Sequence, residues 1–283
     1  MNNVITCIDG SIYADSTCRA GIWASNKLNK KLLLLHAIEK TPSTQAEDLS
    51  GAIGLGARSS LLTEMASLDE QKSKLALELG KEMLEHASQL AQAQGCHTIE
   101  KMQRHSGIVE AIYDLEEEAR LIVIGRSGES HGDNFNVVGS HIEQIIRQVH
   151  TPVVIANKEF AAPKSFMLAY DGRETADKAV KTIIEGGLLH GLTCHLVSVK
   201  NNQPKQQEKF QQTEAMLKEN GFEVCSSLLE GNVFNSLMEY KSSHDVEMLV
   251  MGAFSRSKLA QVFLGSNTLK MMESTQLPMV ILR

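Results

Sequence analysis

Short apolar runs alternate along the whole chain with longer stretches in which apolar residues recur at helical spacing. In the first part, Val4–Ile8, Leu32–Ile38, Thr98–Met102, Leu121–Ile124 and Val153–Ala156 predict strands. Between them, Ala14–Leu28, Ala66–Ala93, Ile108–Glu118 and Ser140–Val149 predict helices. In the second part, Phe166–Tyr170, Leu192–Val199, Phe222–Leu228, Met248–Met251 and Pro278–Leu282 predict five more strands. Strands alternating with helices imply right-handed βαβ units and a mostly parallel sheet. The runs Leu32–Leu35 and Leu121–Ile124 are continuously apolar, as expected of strands covered by helices on both faces. The fold class is α/β, with two five-stranded α/β/α sandwiches in tandem.

The tandem reading comes from an internal repeat. VITCIDGS at Val4–Ser11 matches FMLAYDGR at Phe166–Arg173, each an apolar run closed by Asp-Gly. LIVIG at Leu121–Gly125 matches MLVMG at Met248–Gly252, and Gly139-Ser140 aligns with Gly265-Ser266. The later matches are offset by 127 and 126 positions, but the Asp-Gly match by 162, so the first half carries extra residues. The expected insertion is 41–65, and the expected domains are 1–157 and 158–283.

An open parallel sheet binds ligands beyond the carboxyl ends of its strands, where strand order reverses. Asp9-Gly10 and Asp171-Gly172 close the first strand of each half; Gly125 and Gly252 close the fourth. Each Gly-rich loop runs into a Gly-Ser that opens a helix, and the amide hydrogens at a helix N-terminus suit a phosphate. A carboxylate at the neighbouring strand end suits a ribose hydroxyl or an amino group. Ser140 with Glu143 predicts a capping box, and Ser266 an N-cap. Asp-Gly is also a common turn pair and Gly-Ser a common helix start, so either alone marks a site weakly.

Composition narrows the classes. The net charge is −6, with 14 basic and 20 acidic residues up to Asn157 and 14 of each beyond it. Neither half offers the basic surface that phosphate-backbone contact needs, so nucleic acid is not an expected partner. Five scattered cysteines without a C-x-x-C pair fit a reducing compartment, and no membrane span or leader is legible, so a cytoplasmic location is expected. GAIGLGA at Gly51–Ala57 is not expected between a strand and a helix of a βαβ unit, so it fails as a dinucleotide fingerprint and reads as a flexible or lid-like loop insertion. Histidines such as His36, His105, His131, His141 and His150 lack metal-ligand spacing, so no metal site is expected from them. Met271-Met272 reads as core filler.

On these residues, both halves resemble the universal stress protein family. Its nucleotide-binding members carry Gly-x2-Gly-x9-Gly-(Ser/Thr) after strand four and an Asp at the end of strand one. The resemblance implies a flavodoxin-like or Rossmann-like sandwich of the adenine nucleotide alpha hydrolase type. It also implies ATP or AMP binding, with Mg accompanying ATP, and pairing of modules through their last strands, here Val153–Ala156 with Pro278–Leu282 within one chain. An unknown protein partner would read the bound state, and a further homodimer is compatible.

Carried over residue by residue, the first-half site comprises Asp9, Gly10, Ala37, Gly125, Gly128, Gly139 and Ser140. Ten residues rather than nine separate Gly128 from Gly139, the loop carries Glu129 and Asp133, and His141 and Ile142 follow Ser140. The second-half site comprises Asp171, Gly172, Val199, Met251, Gly252, Phe254, Ser255, Gly265, Ser266, Asn267 and Thr268. It has the expected nine-residue spacing and gains Arg256 and Lys258, but Ser255 replaces a glycine. Ala37 and Val199 hold the base-contacting position. Glycine count favours the first half; spacing and charge favour the second, and the balance falls to the second. The expected function is a regulatory stress-response protein that binds an adenine nucleotide without substantial catalysis, since no nucleophile, base or metal set stands out. An interaction module that has lost the nucleotide and a weak ATPase are the competing readings.

Overall fold

The computed structural model describes residues 2–39, 55–128, 139–201, 204–252 and 266–283. The first half runs β1 (Asn3–Cys7), α1 (Ala14–Leu28), β2 (Lys31–Ala37), α2 (Leu55–Ala93), β3 (Ile99–Arg104) and α3 (Ile108–Leu115). A 3-10 turn at Glu116–Glu118 then leads into β4 (Ala119–Gly125), α4 (Ser140–Gln148) and β5 (Val153–Ala156). The second half runs β6 (Ser165–Ala169), α5 (Glu174–Gly186), β7 (Thr193–Val199), α6 (Gln206–Glu219) and β8 (Val224–Leu229). It closes with α7 (Val233–Ser243), β9 (Leu249–Gly252), α8 (Ser266–Ser274) and β10 (Met279–Leu282).

The two expected five-stranded sheets are fused into one ten-stranded sheet, ordered β3-β2-β1-β4-β5-β10-β9-β6-β7-β8. Every pairing is parallel except that of β5 with β10, which is antiparallel through Val153–Ile155 and Met279–Ile281. The last strands therefore pair within one chain, as the resemblance implied. Alternate residues of each strand feed two cores, one on each face: Val4, Leu32 and Leu34 lie in one, Ile5, Leu33 and Leu35 in the other. Met271 and Met272 are buried in the second core. Arginines cross the junction from both sides, Arg120 of β4 donating to the Gly186 carbonyl at the end of α5 (2.8 Å). Arg126, buried at the end of β4, donates to the Thr275 carbonyl beyond α8 (2.9 Å) and to Asn157 Oδ1 (3.4 Å). Arg283 donates to the carbonyls of Arg147 and Val149 at the end of α4 (2.9 and 2.8 Å). Each half thus caps the C-terminal carbonyls of the other's last helix, groups a helix cannot satisfy itself.

The extra residues of the first half go largely into a helix: α2 has 39 residues where its counterpart α6 has 14. The helix starts at Leu55 rather than Ala66, so 55–65 of the expected insertion is helical, while 40–54 lies outside the described residues. From Thr63 to Leu75 every side chain is exposed except the half-buried Met65, and Leu68 and Leu75 are 50% and 66% exposed.

In the second half, His195 on β7 meets the Tyr240 hydroxyl at 3.1 Å, and Tyr240 stacks on His244 with ring centroids 3.9 Å apart. Burial first, then His244, lowers the His195 pKa, while Asp245 pulls the other way. The folded state therefore takes up the proton less readily than the unfolded chain, so this group's contribution is complete above the unfolded pKa and is lost as pH falls below it. The melting temperature is expected to drop between about pH 7.5 and about pH 5, and His195→Gln to flatten part of that drop. An unchanged pH profile in the variant would assign the acid sensitivity to other groups.

Candidate functional site

Strand order reverses between β1 and β4 in the first half and between β6 and β9 in the second, so both switch points sit at equivalent places. Their surroundings differ. In the first half, a cavity of about 440 Å³ opens at the carboxyl ends of β1, β2 and β4. Asp9, Gly10, Ala37, Gly125, Gly128 and Gly139 all line it, so six of the seven sequence-predicted residues come together. The seventh, Ser140, opens α4 beside them.

Asp9 is set by an Asx turn: its Oδ1 accepts from the Ser11 amide (3.1 Å) and hydroxyl (2.6 Å). Its Oδ2 faces the loop after β4, 3.7 Å from where a Cβ on Gly128 would sit. Gly125 sits at a close approach, where a Cβ would crowd Tyr13 and Thr17 at 3.0 Å. The loop returns at Gly139, whose amide donates to the Arg126 carbonyl (3.3 Å), and Arg126 is itself anchored on the second half. Between them Ser127, 3% exposed, lines the cavity, and its buried hydroxyl has no hydrogen-bond partner among the described residues.

The expected capping box is not formed. Gly139 is the N-cap of α4, Ser140 is the first helical residue, and Glu143 accepts from Arg147 (3.1 Å) instead of reaching back. The N-cap residue Gly139 has no side chain with which to cap the amide hydrogens of the first turn, an arrangement that suits an incoming anion. Ser266 is likewise the first residue of α8. At the mouth, His141 Nε2 approaches Glu39 Oε1 at 3.6 Å. Burial, and then Asp9, push the Cys7 thiol far above its usual range, so this wall residue stays protonated.

The roof was not read from the sequence. Ala76, Leu79 and Met83 of α2 cover the cavity at helical spacing, and the helix is seated by Gly80, where a Cβ would lie 2.2 Å from Gln103 and 2.5 Å from His36. His36 is held in turn by the Ile8 carbonyl (2.8 Å). The apolar positions 76, 79 and 83 were visible as one helix stripe; that the stripe faces the strand ends is a tertiary fact. Ser127 carried no signal beyond its place between two glycines.

The second half is built differently. Phe254, Ser255 and Gly265 lie outside the described residues, as do Arg256, Lys258, Glu129 and Asp133; Ser266 and Asn267 are placed only as the start of α8. Thr268 and Met251 are buried, and Gly252 packs on the Thr175 carbonyl. Asp171 accepts from the Arg173 amide (3.0 Å) and approaches the Arg173 Nε at 3.5 Å. The carbonyls of Asp171 and Gly172 accept from Asn201 (3.0 Å) and Lys209 (2.8 Å). Val199 is buried, and its carbonyl accepts from Gln206 (2.8 Å). In the second half the carbonyls of Asp171, Gly172 and Val199 are thus engaged by the chain's own side chains, whereas the first-half residues line an open cavity.

Among the described residues, no group of three or more His, Cys, Asp or Glu side chains is arranged to hold a metal ion, and no helix is long and apolar enough to cross a membrane.

A model of the universal stress protein family matches residues 1–157 and 199–283. A universal stress protein of Synechocystis sp. is 28% identical over 287 residues, covering all of both chains. Among solved structures, a universal stress protein from Archaeoglobus fulgidus superposes with a TM-score of 0.67 at 16% identity, over 100% of this chain and 98% of that one. A putative universal stress protein from Pseudomonas aeruginosa gives 0.62 at 14% identity, over 100% and 93%. At such identities the structural likeness speaks for the fold.

Proposed function

The chain belongs to the universal stress protein family, and from that premise we propose that its first half, residues 1–157, binds an adenine nucleotide, AMP or ATP, as a regulatory ligand. The observation that carries this reading is the roofed cavity at the β1–β4 switch point, lined by Asp9 and three loop glycines beside the uncapped first turn of α4. Its size and its mixture of apolar wall and convergent polar groups are those of a small-ligand site.

Each part has a role in that reading. The apolar wall of Ile8, Ile38 and Leu79 receives the base, with main-chain groups of Ala37 to Glu39 along its edge. Asp9 Oδ2 takes a ribose hydroxyl. The Ser127 hydroxyl and the amides of the first turn of α4 take phosphate oxygens, aided by the positive end of the helix dipole. Mg enters, if ATP is the ligand, on the phosphates. Residues 158–283 form the second domain and complete the internal pseudo-dimer. The protein acts by presenting its occupied state to a protein partner rather than by substantial catalysis.

The test is calorimetric titration of the full chain with AMP and ATP. Saturable binding is expected, weakened about tenfold or more by Asp9→Ala, equivalent to about 1.4 kcal/mol, and unchanged by Asp171→Ala. Loss in Asp171→Ala with retention in Asp9→Ala would move the site to the second half, and no binding at all would sink the reading.

A further inference from the structure

In the second half, the place where a base would lie is taken by a side chain. The sheet registers align Cys7 and Leu35 with Ala169 and Val197, so Ala37 and Glu39, which line the open cavity, correspond to Val199 and Asn201. At Val199 and Asn201 the carboxamide of Gln206, 7% exposed, is fully engaged. Its Nε2 donates to the Val199 carbonyl (2.8 Å) and to Ser198 Oγ (2.9 Å), and its Oε1 accepts from the Asn201 amide (2.8 Å).

We propose that Gln206 is a built-in occupant of the second crevice, holding the main-chain edge that a base would use and keeping the second half from binding an adenine nucleotide. The class of the excluded ligand rests on the function proposed above; the closure itself does not. A planar carboxamide carries an N–H donor beside a carbonyl acceptor. That is the same adjacent donor–acceptor pair as the amino group and ring nitrogen on the pairing edge of adenine. One main-chain carbonyl and one main-chain N–H two residues further on satisfy either group, and they cannot satisfy both at once.

Two further observations hold the occupant in place. Lys205, immediately before it, adopts a left-handed conformation (φ 60°, ψ 24°), uncommon for a residue with a Cβ and sustained only where the surroundings fix it. The same segment is tied down on the neighbouring strand end, by Asn201 to the Asp171 carbonyl and by Lys209 to the Gly172 carbonyl and to Asp177 (3.2 Å). Gly172 itself, with φ 78°, leaves 3.7 Å between a notional Cβ and the Gln206 side chain, so the glutamine closes directly over the Asp-Gly turn. A tethered group acts at an effective concentration of millimolar order, so a free nucleotide meets a standing competitor there.

The experiment counts sites by equilibrium dialysis with adenosine and with AMP, on the full chain and on Gln206→Ala. The variant is expected to bind one equivalent more than the wild type. An increment from none to one upholds this inference while removing the first-half reading, and an increment from one to two upholds both. A variant that melts like the wild type and gains no site overturns the inference. Should Gln206→Ala fail to fold, the side-chain amide signals of Gln206 in the wild type decide: they are expected to stay in place at saturating AMP, and their displacement overturns the closure.

Discussion

Gly21→Ala is expected to destabilise the protein by about 2–3 kcal/mol, although alanine is ordinarily the better helix former by about 1 kcal/mol. Gly21 lies in the middle of α1, where the helix crosses β1. An ideal Cβ at this position would lie 2.1 Å from Thr6 Oγ1, 2.8 Å from its Cγ2 and 2.9 Å from its Cβ. Thr6 is completely buried and its strand is paired on both sides, by β2 and β4, so it has nowhere to retreat. Either Thr6 leaves its rotamer or α1 lifts from the sheet. Urea unfolding measures the loss. Thr6→Ala, which removes the two outer atoms, is expected to restore part of it in the double variant, giving a coupling energy of about 1 kcal/mol or more. The hydroxyl of Thr6 has no hydrogen-bond partner among the described residues, so its removal leaves no group unpaired. A Gly21→Ala protein as stable as the wild type would refute the close crossing.

Gly128→Glu is expected to reduce AMP and ATP affinity about a hundredfold, or about 2.7 kcal/mol, while adenosine binding falls much less. The position is not one of the left-handed glycines, and among the described residues only Asp9 Oδ2 comes within 4 Å of a notional Cβ, at 3.7 Å, an ordinary van der Waals contact. On the proposed function a carboxylate there stands in the phosphate path and beside Asp9, in a crevice where screening by water is reduced. Gly128→Ala controls for bulk and is expected to bind nearly as the wild type does. Equal losses for adenosine and AMP in Gly128→Glu would place the damage in the base end rather than in a charge clash.

The sequence carried the fold well because burial on both sheet faces is a compositional signal. Leu32–Leu35 and Leu121–Ile124 admit little except central parallel strands, and Ala14–Leu28 and Val153–Ala156 coincide with α1 and β5. The repeated Asp-Gly and Gly-Ser pairs located both switch points for the same reason: they mark strand and helix ends, which are local features. The cap of α4 shows the limit of that resolution, since Ser140 and Glu143 fit a capping box in spacing while the backbone turns one residue earlier, at Gly139. The start of α2 was masked by the glycines of GAIGLGA, which read as loop although Leu55 onward is helical. Least legible was the contrast between the two crevices. Gln206 is an ordinary polar residue at a helix start, and only the left-handed turn at Lys205 and the ties from Asn201 and Lys209 carry it onto Val199. Charge and spacing around 253–268 favour the second half, but they carry no information about Gln206, which reaches the Val199 carbonyl from a different loop.

The antiparallel seam between β5 and β10 has an evolutionary corollary. Identical modules that meet across such a seam as separate molecules inherit every substitution twice, once on each side, and part from one another on dilution. Joined in a single polypeptide they do neither. Each copy is free to drift alone, so one can surrender its own vacancy to a glutamine and serve as permanent scaffolding while its sibling stays receptive, in a fixed one-to-one ratio at any cellular abundance.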